Sequence, residues 1–206
     1  NGVNLPLAYT GQERIYQKVY NSFGLSNTSL AEYFGGPAFL AWNRGQGLQA
    51  WGGKMDTPLP GQSVHSWATG LPQSWLDDQW ALQRAILPRM RAFGMKPVLP
   101  AFQGNLPLGM HDLFPSANIS RVGVPANALR DHYASAAWID ALDPLFGKIA
   151  DKFMEVLLND FGTDHYYAAD GTFSHASAPW MSLSSALQDP AFKQTASERE
   201  AVGEGE

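Results

Sequence analysis

The chain has 206 residues, of which 45% are hydrophobic and 16% charged, and a formal net charge of −5. This composition is that of a globular protein, and the length suffices for one domain with a sizeable core. The absence of cysteine excludes disulfides, thiol nucleophiles and cysteine-based zinc sites, and the lack of any lysine and arginine block argues against a nucleic-acid or membrane-binding surface.

The first predicted elements are a strand and a helix. The apolar run 3–9 contains a proline, which predicts a strand near the edge or end of a sheet. Ile15, Val19 and Phe23 then recur at helical spacing, and Gly24 is expected to end that helix.

A short helix over LAEYF, capped by Thr28 or Ser29, is expected next. The glycine- and aromatic-rich segment 35–53 is predicted as a loop with a short helix, with the length and composition of a functional loop. A long amphipathic helix is predicted over 75–93, with Pro88 placed to kink it. Its apolar residues are Leu76, Trp80, Leu82, Ile86, Leu87 and Met90.

Strands and helices continue to alternate in the second half of the chain. MKPVLPAF predicts a buried strand, and a short helix is expected within GNLPLGMHDLFP. The stretch 118–142 is predicted to be irregular. A strong helix over 144–161 is expected to end at Gly162, and DHYYAAD predicts a third strand.

This order predicts an α/β fold with parallel strands. Each predicted strand ends in a polar or glycine-containing loop, which is where an α/β barrel carries its catalytic groups. Because an eight-stranded barrel has eight such units, the fold class is predicted as a partial (β/α)8 TIM barrel that holds about the first three βα units.

Other motifs predict no cofactor and no metal. The letters GQGLQA over 45–50 match a dinucleotide fingerprint, but they do not lie between a predicted strand and a helix. No G-x-S-x-G elbow is present, and the five histidines lack metal-ligand spacing. Trp42 and Trp51 lie beside planar polar side chains, which suits a sugar ring. The alternative is that these aromatic residues only close the mouth of the barrel.

Several motifs in order carry a family resemblance: GGPAFLAWNRGQGLQAW, LPRMRAFGMKPVLPAFQGNLP, LFPSANIS and DFGTDHYYAAD. Together they resemble the α-N-acetylglucosaminidases of glycoside hydrolase family 89, over about residues 2–173. The resemblance implies an α/β barrel that removes terminal α-linked N-acetylglucosamine from glycans, including heparan sulfate. It also implies a retaining mechanism with two glutamates, which is the general chemistry of paired carboxylates flanking a glycosidic bond.

The chain departs from the family pattern at the predicted catalytic loop. After its strand the family has Ala-Asp-Thr-Phe-Asn-Glu, in which the glutamate is the acid/base; here Ser174 stands at the asparagine and His175 at the glutamate. The second glutamate of the family lies beyond the present chain. Asp170 matches the family aspartate, and its expected role is to orient the loop through hydrogen bonds, with proton transfer as the alternative. A histidine moves protons near neutral pH but is cationic as the acid.

The resemblance also supplies candidate substrate-binding residues. Trp42 matches the tryptophan of the family FLAW motif, which resembles a sugar-contacting position, and Ser174 belongs to the catalytic loop. Asn105 takes the place of a family histidine after AF-x-G. These three residues are predicted to bind a glycan with a terminal N-acetylglucosamine.

Two sequons begin at Asn27 and Asn118, and they are candidate glycosylation sites if the chain enters the secretory route. The resemblance implies a lysosomal, vacuolar or secreted location. Residues 1–175 are predicted to be the barrel part, and 176–206 to be a diverged, flexible tail. Three functions stay open: a glycosidase with an altered site, a carbohydrate-binding pseudoenzyme, and a truncated product without its own function.

Overall fold

The structure is a computed structural model that describes residues 2–31, 33–34, 72–107, 109–122 and 136–169. Helices and strands alternate along these residues in a mixed α/β arrangement. The helices are α1 (Gln12–Ser22), α2 (Asn27–Ala31), α3 (Gln73–Ala92), α4 (Gly109–Leu113) and α5 (Pro144–Phe161). The strands are β1 (Leu99–Pro100), β2 (Asn105–Leu106), β3 (Ile119–Val122), β4 (Ala136–Ile139) and β5 (Tyr167–Ala168).

Three extended segments run parallel, as the sequence predicted. Leu7 forms a parallel bridge with Val98, and the N–H of Ala8 donates to the carbonyl of Val98 at 2.9 Å. On its other side, β1 pairs in parallel with β5, so that Leu99 lies opposite Tyr167. The middle position therefore belongs to β1, with the segment 4–8 and β5 as its neighbours.

The helices α1, α3 and α5 pack together and against this parallel sheet. The predicted helix 144–161 is confirmed at both ends. Asp143 caps it by accepting the N–H of Leu145 at 2.8 Å, and Gly162 ends it with a φ of 69°. Ile149, Phe153 and Leu157 are 0% exposed, and each such side chain contributes roughly 1.5–3 kcal/mol of hydrophobic free energy.

Two details of the helix predictions were wrong. The cap of α2 is Ser26 and not Thr28 or Ser29. Oγ of Ser26 accepts the N–H of Ser29 at 3.1 Å. In α3, Leu82 does not belong to the buried face and is 47% exposed. The buried apolar residues of α3 are Leu76 and Leu87. The polar residue Gln83 is buried with them, and its amide is satisfied by donating to the carbonyl of Ala8 at 2.9 Å.

The prediction that 118–142 is irregular was also wrong. β3 and β4 lie in that stretch and form an antiparallel sheet with β2, in the order β2-β4-β3, with Asn105 opposite Trp138 and Ile119 opposite Ile139. The sheet lies between β1 and α5 in the chain, and the N–H of Ile139 in β4 donates to the carbonyl of Gly104, a few residues after β1. Its first strand has only two residues and its partners are remote in sequence, so no local pattern marked it.

Candidate active site

The carboxyl ends of the parallel segments meet at one edge of the sheet, as they do in α/β barrels. Tyr9–Gly11 follows the first segment, Ala101–Gly104 follows β1, and Ala169 follows β5. The carbonyl of Ala168 accepts the N–H of Ala101 at 2.9 Å, which fixes the ends of β1 and β5 beside each other. A ligand bound at this edge would therefore contact loops from all three segments.

Four predicted site residues lie outside the described residues: Trp42, Asp170, Ser174 and His175. The last described residue before the predicted catalytic loop is Ala169, directly after β5. The predicted catalytic loop therefore begins one residue after a parallel strand.

Asn105 is 1% exposed and lies among three buried tyrosines. Its Nδ2 donates to the hydroxyl of Tyr33 at 2.6 Å, and its Oδ1 accepts from the hydroxyl of Tyr16 at 3.4 Å. Its backbone carbonyl accepts from the hydroxyl of Tyr20 at 2.5 Å. We call Asn105 and these three tyrosines the Asn105 cluster. It joins α1 and the residues after α2 to the carboxyl end of β1.

Burial within this cluster keeps the tyrosines protonated. Desolvation raises the pKa of Tyr16, Tyr20 and Tyr33 above the ordinary value of a phenol. The three hydroxyl groups therefore act as neutral hydrogen-bond donors and acceptors over the whole accessible pH range. A buried polar group is costly unless it is paired, so each bond helps to define one arrangement of the cluster.

Glu13 is a second buried polar residue at the same edge, and no motif in the sequence singled it out. It lies in the first turn of α1, directly after the first parallel segment, and is 4% exposed. Burial raises its pKa to about 7, and a hydrogen bond from its own backbone partly opposes that rise. Among the described residues no cation pairs with it. The only sequence signal was its position just after a strand end.

The two sequons differ in their surroundings. Asn27 is exposed at the start of α2, and its Oδ1 accepts from Nδ2 of Asn21 at 2.8 Å. Asn118 is also exposed, but its Nδ2 donates to Oδ2 of Asp140 at 2.7 Å. Asn27 therefore presents the less engaged amide nitrogen.

The described part of the chain contains no group of three or more His, Cys, Asp or Glu side chains arranged to hold a metal ion. In the same residues, no helix combines the length and the apolar character needed to cross a membrane.

Parallel strands alternating with helices, with polar loops at the carboxyl ends of the strands, are the arrangement found in α/β-barrel proteins. The chain belongs to the α-N-acetylglucosaminidase TIM-barrel domain family, whose sequence profile matches residues 1–191. It is 40% identical over 179 residues to α-N-acetylglucosaminidase of Homo sapiens. This match covers 87% of the chain and 22% of the human protein.

Solved structures of a family 89 glycoside hydrolase from Clostridium perfringens are also similar. The complex with 2-acetamido-1,2-dideoxynojirmycin has a TM-score of 0.56 and 26% identity. A form with two glutamates changed to glutamine, in complex with its substrate GlcNAc-α-1,4-galactose, has a TM-score of 0.60 and 27% identity. Each comparison covers 81% of the present chain and 17% of the bacterial one. The chain thus spans about a fifth of the length of these relatives.

Proposed function

We propose that residues 1–175 form the first three βα units of a glycosidase barrel that binds glycans ending in α-linked N-acetylglucosamine, with 176–206 as a diverged tail. The observation that carries this proposal is the order of the parallel segments, with all their carboxyl ends at one edge. A chain of this family with that arrangement has the scaffold on which barrel enzymes place their sites.

The exposed side of the first parallel segment supports the partial barrel. Val3, Leu5 and Leu7 are 59%, 48% and 47% exposed. Residues at every second position of an extended segment point to the same side. Their neighbour Ala8 is only 3% exposed, because it points toward the helices. The exposed side is therefore the one that further strands would cover when the barrel closes.

The proposed reaction is hydrolysis of the terminal α-glycosidic bond, with the loop after β5 carrying the chemistry. In this proposal His175 stands at the acid/base position, and Asp170 orients the loop. Trp42 and Ser174 contact the sugar, and Asn105 contributes to the same substrate site. Because a histidine acid is cationic where a glutamic acid is neutral, the charge of the site differs by one unit from that of a two-carboxylate site.

The replacement of the family asparagine and glutamate by Ser174 and His175 favours a second function, that of a carbohydrate-binding pseudoenzyme. A barrel with Ser174 and His175 in place of Asn and Glu keeps its sugar-binding surfaces while losing the neutral acid. Under both proposed functions the binding partner is a glycan and the protein follows the secretory route. Asn27, on the exposed start of α2, is then the proposed site of N-glycosylation.

The deciding experiment uses the longest naturally translated protein that contains residues 1–206, here termed the complete protein. Release of the aglycone from an aryl α-N-acetylglucosaminide is measured for wild type, His175→Ala and His175→Glu. The matched control is His111→Ala, because the His111 side chain is 58% exposed on α4 and lies outside the sequence motif that contains His175.

Activity in wild type that is lost in His175→Ala supports the hydrolase, with histidine as the proton-transfer group. An inactive wild type that gains turnover in His175→Glu supports the pseudoenzyme. If none of these proteins turns over substrate and none binds 2-acetamido-1,2-dideoxynojirmycin, the proposed function is wrong.

A further inference from the structure

The loop after β1, Phe102–Asn105, is anchored at three of its four residues. Phe102 is 7% exposed, and its ring lies 5.1 Å from that of Phe146. The carbonyl of Gly104 accepts the N–H of Ile139 at 2.9 Å. Asn105 is held by the Asn105 cluster. The aromatic core, the antiparallel sheet and the buried tyrosines thus fix this loop from three directions.

Gly104 shows how little room this loop has. Its φ is +103°, and a Cβ there would lie 3.3 Å from the carbonyl oxygen of Ile139 and 3.5 Å from the ring of Trp138. Only glycine adopts that φ without strain. The backbone is therefore in close contact with β4, and the loop has one well-defined path.

Gln103 is the exception in this anchored loop. Its side chain is half-buried, and it makes no hydrogen bond or ion pair in the described part of the chain. It lies at the carboxyl end of the middle parallel strand, next to the end of β5. A carboxamide with no partner among the described residues, on a loop whose neighbouring residues are anchored, offers both a donor and an acceptor to an incoming hydroxyl group.

We infer that Gln103 is a sugar-binding residue and that Asn105 is the residue that positions it. The inference rests on the proposed function and assigns part of the substrate site to the loop after β1. Gln103 binds a hydroxyl or acetamido group of the terminal N-acetylglucosamine. Asn105, both of whose side-chain polar atoms are engaged by tyrosines, acts through the loop rather than by touching the sugar.

This division of roles follows from burial and pairing. A group that binds ligand must exchange water for ligand, so it needs an accessible atom without a protein partner. Among the described residues, half-buried Gln103 offers such an atom and buried Asn105 does not. A binding group is most effective when its neighbours hold it in the bound geometry before the ligand arrives. The Asn105 cluster and the Gly104–Ile139 contact provide that support.

The test measures the Kd of 2-acetamido-1,2-dideoxynojirmycin for the complete protein and four variants: Gln103→Ala, Asn105→Ala, Tyr33→Phe and Asn159→Ala. Asn159→Ala is the matched control, because it removes an exposed amide near the end of α5, at the opposite end of the parallel strands. We expect Gln103→Ala to raise Kd about tenfold without changing Tm, since one hydrogen bond to ligand is lost. Asn105→Ala and Tyr33→Phe should raise Kd and lower Tm, and the control should change neither.

A double variant distinguishes positioning from general destabilisation. If Asn105 acts through Gln103, Asn105→Ala raises Kd much less in a Gln103→Ala background than in wild type. Equal binding by wild type and Gln103→Ala would overturn the inference while leaving the proposed function intact. Independent, multiplying effects of the two substitutions would overturn the positioning role of Asn105. A wild-type protein that fails to bind the inhibitor would contradict the proposed function and, with it, the inference.

Discussion

The carboxylate of Asp160 accepts a hydrogen bond from the indole N–H of Trp80 at 2.8 Å. The same oxygen also pairs with Nζ of Lys18 at 2.5 Å, and that ammonium lies 4.6 Å from the centroid of the Trp80 ring. Asp160 therefore links α5 to both α1 and α3, the helices that cover the parallel sheet. Its side chain is 15% exposed, so the contacts are partly shielded from solvent.

Asp160→Ala should lower the free energy of unfolding by about 2 kcal/mol, because it removes the carboxylate that pairs with a partly buried indole N–H and a partly buried ammonium. Urea unfolding of the chain at low protein concentration, followed by tryptophan fluorescence, measures this. The control is Glu155→Ala, which breaks an exposed pair with Lys152 and should cost less than about 0.5 kcal/mol. Similar losses in the two variants would contradict the argument.

Gly11 is required by both its conformation and its surroundings. Its φ is +75°, and a Cβ would lie 2.8 Å from Cα of Trp80 and 2.9 Å from the carbonyl oxygen of Gln79. We expect Gly11→Ala to destabilise the protein by about 3 kcal/mol, the sum of left-handed strain and a backbone clash.

Two other glycines separate these contributions in the same unfolding experiment. Gly94 has a φ of +73°, and a Cβ there would have no other atom within 4 Å, so Gly94→Ala should cost only the strain, about 1 kcal/mol. Gly147 lies inside α5 with open space around it, so Gly147→Ala should stabilise the protein by up to about 1 kcal/mol. The expected loss of stability is largest for Gly11→Ala, smaller for Gly94→Ala and absent for Gly147→Ala. Any other order would contradict the proposed backbone clash at Gly11.

The sequence predicted α1 and α5 well because their apolar residues recur at helical spacing and glycines mark their ends. It also predicted the parallel order, since each strand was a short apolar run between helices. The antiparallel sheet was not predicted, because Asn105–Leu106 is too short to show the alternation of a strand. Its pairing with β4 also depends on residues far along the chain.

The strand ends at the candidate site were predictable from the sequence, and the contacts around them were not. Strand ends followed by polar residues predicted a site at the carboxyl ends of the strands, and the structure brings the three described strand ends to one edge of the sheet. That Asn105 is enclosed by Tyr16, Tyr20 and Tyr33 could not be foreseen, because the tyrosines of α1 follow the same spacing as its core residues. That Gln103 has no partner among the described residues depends on how its neighbours fold and has no sequence signal.

The raised pKa of Glu13 predicts a pH-dependent stability. Its pKa is 4.5 in the unfolded chain and about 7 in the folded one, so between these values the folded state binds more protons. The free energy of unfolding should therefore fall by about 3 kcal/mol from this group as pH rises from 4.5 to 7, and stay level above that. Below pH 4.5 the stabilising contribution is fully present.

Glu13→Gln isolates this contribution, because glutamine is neutral at every pH. We expect the variant to match wild type near pH 4 and to exceed it in stability at pH 8, as measured by urea unfolding across that range. Glu155→Gln, on the exposed side of α5, should track wild type throughout. A constant difference between Glu13→Gln and wild type at all pH values would show that Glu13 is ionised in the folded state.

The exposed apolar side of the first parallel segment predicts that the 206-residue chain self-associates when expressed alone, because open sheet faces and edges recruit other chains. Leu5→Asn with Leu7→Asn should reduce this association in analytical ultracentrifugation without lowering Tm.

In the complete protein the same pair of substitutions should lower the free energy of unfolding by several kcal/mol if further strands bury that side. Leu82→Asn is the matched control, because Leu82 is 47% exposed, as Leu7 is, but lies on α3. Full tolerance of the Leu5 and Leu7 changes in the complete protein would show that no strand covers this side, and the partial-barrel proposal would fail.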